Sequence, residues 1–207
     1  MKVLKFGGTS VGSVDSIRQI QRIISQQKDD CIVVVSALGG ITDQLLKASQ
    51  LALQEDDLYM EIYQQIRQRH MDMVNTLIEN ATVRQMLMHE LEGILDELRS
   101  ILFGVHLVKD LSNKTEAAIV SYGERMSSRI VTAALPGAVR KNSLQFIRTE
   151  HKQGQVLLNT ELTEQLIHEA FSPMPHLSVV PGFISKDCLT DEITNLGRGG
   201  SDYTASI

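Results

Sequence analysis

The stretch 31-CIVVVSALGG-40 decides the fold. Cys31 to Val35 form a continuous apolar, largely β-branched run with no polar alternation. Such a run predicts a strand buried on both faces, the situation of a parallel sheet covered by helices on either side. The pair Gly39-Gly40 ends the run, and 42-TDQLLKASQLAL-53 restarts at helical spacing with Thr42 as the predicted N-cap. The N-terminus repeats this order. There 2-KVLKF-6 is a short strand, Gly7-Gly8 breaks it, and Val14, Ile17, Ile20 and Ile24 recur at helical steps.

Further along, the period lengthens. From about 56 to 105, Ile62, Ile66, Met73 and Leu77, then Leu87, Leu91, Leu95, Leu98 and Leu102, recur at three- and four-residue steps between charged positions. This predicts a helical hairpin inserted into an α/β fold. Residues 115–135, TEAAIVSYGERMSSRIVTAAL, read as a helix stopped by Pro136-Gly137. The remainder predicts a strand over 144-LQFIRT-149, a helix over 159-NTELTEQLIHEAF-171 capped by Asn159 or Thr160, and a strand in 176-HLSVVPGFIS-185 leading to a loop. Strands alternating with helices imply a three-layer α/β/α sandwich with a mainly parallel sheet.

At 207 residues the chain can bury a full core without disulfides. Hydrophobic residues make up 43% and charged residues 22%, an ordinary globular balance. A net charge of -5 argues against nucleic acid or an anionic membrane surface as a partner, since both are held by a basic field. No apolar run approaches the ~20 residues of a membrane span, and MKVLKF is too short for a signal peptide. Cys31 and Cys188 lie far apart, and the first opens a buried strand, so a reduced, cytoplasmic interior is expected. His70, His89, His106, His151, His168 and His176 show no metal-ligand spacing, and no metal site is predicted.

Four short stretches carry candidate chemistry. In 5-KFGGTS-10 a glycine turn at a strand's carboxyl end either is a tight strand-to-helix turn or brings backbone N–H groups to a phosphate. It is neither a Walker A motif nor a G-x-G-x-x-G fingerprint. In 35-VSALGGITD-43 a second glycine turn follows the second strand, so the two can converge on one rim and favour a small anionic ligand. In 123-GERMSS-128, Glu124 and Arg125 stand ~100° apart on a helix. They form an ion pair on a solvated face, or Glu124 turns inward and needs a cation such as a substrate ammonium. In 197-GRGGSD-202, Arg198 offers a bidentate fork for carboxylate or phosphate. There Gly199 and Gly200 offer backbone donors, and Ser201 is the predicted cap of a helix starting at Asp202; a plain flexible loop is the alternative, and it explains the composition poorly.

Taken in order, these stretches resemble the N-terminal part of an aspartokinase, a member of the amino-acid-kinase family. The residues that carry the resemblance are Lys5-Phe6-Gly7-Gly8-Thr9-Ser10, Ser36 and Thr42 around the second turn, Gly123-Glu124-Arg125-Met126-Ser127, and Phe183 followed by Leu196 to Thr204. The resemblance implies ATP-dependent phosphorylation of the side-chain carboxylate of L-aspartate to 4-phospho-L-aspartate, for lysine, threonine and methionine synthesis. It implies that Glu124 takes the substrate ammonium and Arg198 a carboxylate, with Ser36, Thr42 and Ser201 binding or orienting aspartate. Lys5 would neutralise phosphoryl oxygens, with Asp202 positioning it. Gly7, Gly8, Thr9, Ser10 and Gly200 would face the phosphates, with Mg2+ carried on the nucleotide.

By the same resemblance, residues 1–207 form the amino-acid-binding part of the catalytic domain. The segments for adenine and ribose and the regulatory domains would follow Ile207, so this piece is expected to be inactive alone. The parent is expected to be a homo-oligomer, and some aspartokinases continue into a homoserine dehydrogenase. Two alternatives stand beside this reading: a non-catalytic aspartate-binding or assembly module, and a kinase of another small carboxylate.

Overall fold

A computed structural model describes residues 1–152 and 154–207. Along the chain run β1 (Lys2–Phe6), α1 (Gly8–Val11), α2 (Val14–Ser25), β2 (Cys31–Val35), α3 (Ile41–Leu53), α4 (Leu58–Leu77), α5 (Ala81–Val108) and α6 (Asn113–Ala134). There follow β3 (Val139–Arg140), a 3-10 turn at Ser143–Gln145, β4 (Arg148–Lys152), β5 (Gln155–Leu158), α7 (Thr160–Ala170), β6 (Leu177–Pro181), β7 (Ile184–Asp187), β8 (Ile193–Asn195) and α8 (Gly200–Ser206).

The strand over Cys31–Val35 lies inside a sheet of order β1-β2-β6-β3 whose pairs are all parallel. Its side chains point alternately to two cores. Val33 and Val35 join Val179 in a large core with the helices α2 to α6. Val34 joins Val180, Phe146 and Ile147 in a smaller one, against which Leu166, Ile167 and Phe171 of the α7 region pack. Burial on both faces is why the strand tolerates no polar residue. The register sets Phe6 beside Val35 and Val35 beside Pro181, so three strands end at one rim.

The hairpin α4–α5 runs a few residues beyond the expected 56–105. It shares the large core, where Ile66, Leu91, Leu95, Leu98 and Leu102 are fully buried with Ile119 and Met126 of α6. Side-chain caps fix the starts of four α-helices: Ser13 accepts from the Ser16 N–H, Asn80 from Val83, Ser112 from Thr115 and Asn159 from Leu162. The predicted end of α6 before Pro136-Gly137 agrees with its last residue, Ala134.

The expected strand 144–149 is corrected. Residues Ser143–Gln145 make a 3-10 turn, because Asn142 Oδ1 accepts from the Leu144 N–H and the Ser143 hydroxyl donates to the Ile184 carbonyl. Only from Arg148 does the chain extend, into a second, mixed sheet of order β5-β4-β7-β8. That sheet is absent from the expectation: 148-RTEHK-152 carries too few apolar residues to read as a strand.

Candidate active site

The two glycine turns meet at the rim where β1, β2 and β6 end. The Gly39 N–H donates to the Gly8 carbonyl at 2.9 Å, and the Ser36 N–H to Phe6 at 3.2 Å. Gly40 has φ +80 and is itself the N-cap of α3. The Ile41 N–H then donates to Leu38 and the Gln44 N–H to Gly40. Thr42 therefore lies inside the first turn of α3 and is not its cap, correcting the expectation. The third turn repeats this arrangement. Gly199, at φ +76, caps α8 and accepts from the Asp202 and Tyr203 N–H groups. Ser201 is thus a helical residue rather than the cap.

Together these turns and α6 enclose a cleft of about 430 Å³. Lys5, Gly8, Ser36, Thr42, Glu124, Arg198, Gly200, Ser201 and Asp202 all line it. Thr9 and Ser10 do not. They are exposed on α1 and face a separate depression with Phe6 and Ser16. Gly7 abuts Lys5, since a Cβ there would stand 3.4 Å from the Lys5 ammonium, but it is not in the lining. The expected free donor on Gly200 is also corrected: its N–H is spent on the Gly197 carbonyl at 2.9 Å.

Glu124 dominates the electrostatics. Its residue is 3% exposed, on the face of α6 turned to the sheet. Oε1 accepts from the Ala37 N–H at 3.0 Å, and Oε2 has no partner among the described residues. Burial pushes its pKa up to about 7, against the smaller downward pull of the Ala37 N–H. Arg125 points the other way, to Glu97 at 2.8 Å and over the Tyr122 ring. The ion pair on an outer face thus describes Arg125, while Glu124 turns inward without a cation.

Such an approach of α6 needs Gly123. A Cβ there would lie 2.7 Å from the Ala37 Cβ. Gly123→Ala is expected to cost about 1–3 kcal/mol of stability, read as a lower Tm in thermal denaturation.

Elsewhere in the lining Lys5 Nζ pairs with Asp202 Oδ1 at 2.8 Å. The Ser36 hydroxyl donates to Ser201 Oγ at 2.9 Å, and the Ser127 hydroxyl to the Ser36 carbonyl at 2.7 Å. Arg198 is exposed at the mouth and makes no hydrogen bond or ion pair among the described residues. The cleft thus sets an unpartnered cation and a carboxyl with an unpartnered oxygen around one volume. Among the described residues no group of three or more His, Cys, Asp or Glu side chains could hold a metal ion.

Two lining residues escape a residue-by-residue reading of the sequence. Asp43 follows Thr42 on α3, and its place just after a glycine turn is the only signal for it. Phe183 enters only through the resemblance. It holds φ +65, unusual for an aromatic residue, fixed by its N–H to Thr204 Oγ1 and its carbonyl to the Leu196 N–H.

The cleft lies at the carboxyl-end rim of a parallel sheet, where α/β folds of this class open their ligand crevice. The model of the amino acid kinase family matches residues 1–207, and the chain belongs to that family. Aspartokinase 2, chloroplastic, of Arabidopsis thaliana is 30% identical over 99% of this chain and 38% of its own length. The aspartokinase of Chlamydia trachomatis is 30% identical over 99% of this chain and 44% of its own. The structure of E. coli aspartokinase III with lysine and aspartate superposes with a TM-score of 0.85 at 26% identity, covering 98% of this chain and 45% of that one. The same enzyme with aspartate and ADP gives 0.83, with 98% and 44% covered. The chain therefore spans under half the length of these relatives. No helix among the described residues is long and apolar enough to cross a membrane.

Proposed function

We propose that residues 1–207 are the amino-acid-binding part of an aspartate kinase catalytic domain. In this reading the parent transfers the γ-phosphoryl group of ATP to the side-chain carboxylate of L-aspartate. The observation that carries the reading is Glu124, a buried carboxyl with an unpartnered oxygen, facing a cleft that Arg198 also lines. A buried carboxylate needs a cation, and an α-amino acid supplies an ammonium. A dicarboxylic one also supplies a carboxylate for Arg198. The similar E. coli aspartokinase III forms a complex with aspartate and ADP, which supports the same two ligand classes.

The chemistry asks little of a base, because the attacking carboxylate is already ionised. One of its oxygens forms the bond to the γ-phosphorus, while the bridging oxygen leaves with its electron pair as ADP. Catalysis then rests on alignment and charge stabilisation. Lys5, held by Asp202, neutralises phosphoryl oxygens. The backbone N–H groups of Gly7 and Gly8, which have no acceptor among the described residues, take the donor role that Gly200 cannot. Ser36, Ser201 and Thr42 orient the substrate. Mg2+ comes with the nucleotide phosphates, and other parts of a cytoplasmic, homo-oligomeric parent hold adenine and ribose.

Calorimetry of the full-length protein with L-aspartate, succinate and L-glutamate tests the substrate. Aspartate should bind, and succinate, which lacks the ammonium, should bind at least about tenfold more weakly. Equal binding of succinate would show that Glu124 does not take the ammonium. Arg198→Ala should cost ~2–4 kcal/mol in kcat/KM, through a higher KM for aspartate. An unchanged KM in steady-state assays would contradict it.

A further inference from the structure

The hairpin helix α4 reaches the back of the site through one side chain. Arg69 Nη2 donates to the Gly12 carbonyl at 3.3 Å. Gly12 closes α1, the helical turn that begins at Gly8. Arg69 Nη1 lies 3.9 Å from where a Cβ on Gly40 would stand, and Gly40 caps α3. One guanidinium therefore binds the end of the helical turn that follows the first glycine pair and stands beside Gly40 of the second; among the described residues the hydrogen bond between the two pairs themselves is that of the Gly39 N–H on Gly8. It is not consumed elsewhere. Asp72, one helical turn on, accepts from Gln68 at 2.7 Å, and Arg69 makes no ion pair among the described residues.

We propose that Arg69 is a positioning residue that sets the spacing between the two glycine turns, and so between the phosphoryl donor and the acceptor carboxylate. This rests on the kinase reading above, in which the first turn holds phosphate and the second faces aspartate. Arg69 is not in the lining of the cleft and borders a separate depression. Its removal should leave each ligand's own contacts in place and spoil their alignment. Misplacement of reacting groups by ~1 Å can cost on the order of a hundredfold in rate, so the effect belongs in kcat rather than in KM. The hairpin thereby gains a functional link to the site besides its share of the core.

The test uses full-length protein carrying Arg69→Gln or Arg69→Ala. Expected are a fall in kcat of about tenfold or more, with KM for aspartate and for ATP and the Tm little changed, and faster amide exchange at Gly39. Guanidinium ion at sub-denaturing concentration should restore part of the rate to Arg69→Ala, by entering the depression beside Gly12, Val14 and Asp72, and none to the wild type. Unchanged kcat with unchanged exchange at Gly39 overturns the proposal. So does a loss that follows a lower Tm and resists guanidinium. A wild-type parent that phosphorylates no aspartate defeats the kinase reading instead, and exchange at Gly39 then still decides whether Arg69 ties the turns.

Discussion

Glu124→Gln is expected to lower kcat/KM for aspartate by about two to four orders of magnitude, the ~3–5 kcal/mol lost when one partner of a buried charge pair is removed. Glutamine keeps the acceptor for the Ala37 N–H and nearly the same volume, so the loss isolates the charge. Stability should move in the opposite direction. The folded pKa, about 7, lies above the ordinary 4.5, so the folded state binds the Glu124 proton more tightly than the unfolded chain does. The charged form therefore destabilises the fold increasingly as pH rises through this window, and the penalty is complete above pH 7. Glu124→Gln should raise the Tm at pH 8 and lose that advantage near pH 4. Without its charge the site cannot take an ammonium, so wild-type affinity for aspartate should fall by roughly tenfold per pH unit once well below pH 7. A lower Tm for the variant at pH 8, with aspartate use unchanged, would show Glu124 to be a packing residue.

Lys5→Met should depress turnover by about three orders of magnitude, the scale of losing one preorganised charge at the transition state. KM for aspartate should change little, since in this reading the ammonium of Lys5 faces phosphoryl oxygens and not the amino acid. Stability should also change little. The Asp202 side chain, paired with Lys5 at 2.8 Å, is 68% exposed and returns to water when the partner is lost. The contrast with Arg198→Ala is the useful one: a kcat defect from one cation of the cleft and a KM defect from the other. Small, equal effects from both substitutions would refute the division of roles.

The parallel core is legible because Cys31–Val35 has to satisfy two apolar faces at once, which leaves an unambiguous apolar run. The second sheet is not, because β4 and β5 are polar or exposed over most of their length and the buried positions of β7 and β8 include Ser185, Asp187 and Thr194, which leave no apolar run. Within the site, the glycine pairs announce where the turns lie but not which N–H groups stay free. Gly200 and Gly39 are donors to neighbouring carbonyls. Glu124 shows the limit of local reading most plainly. A Glu-Arg pair on a helix is consistent with a surface ion pair, and only the packing of α6 on Ala37 through Gly123 turns the carboxyl inward. Thr42 and Ser201 are misread as caps for a related reason. A glycine with positive φ begins each helix two residues earlier and leaves Thr42 and Ser201 among the lining of the cleft.

The most direct measurement is ATP-dependent formation of an acyl phosphate by the full-length protein, trapped with hydroxylamine, with L-aspartate and L-glutamate as competing acceptors. Aspartate kinase activity predicts aspartyl hydroxamate that depends on both ATP and Glu124. Hydroxamate from glutamate alone, or none from either acid, would contradict it.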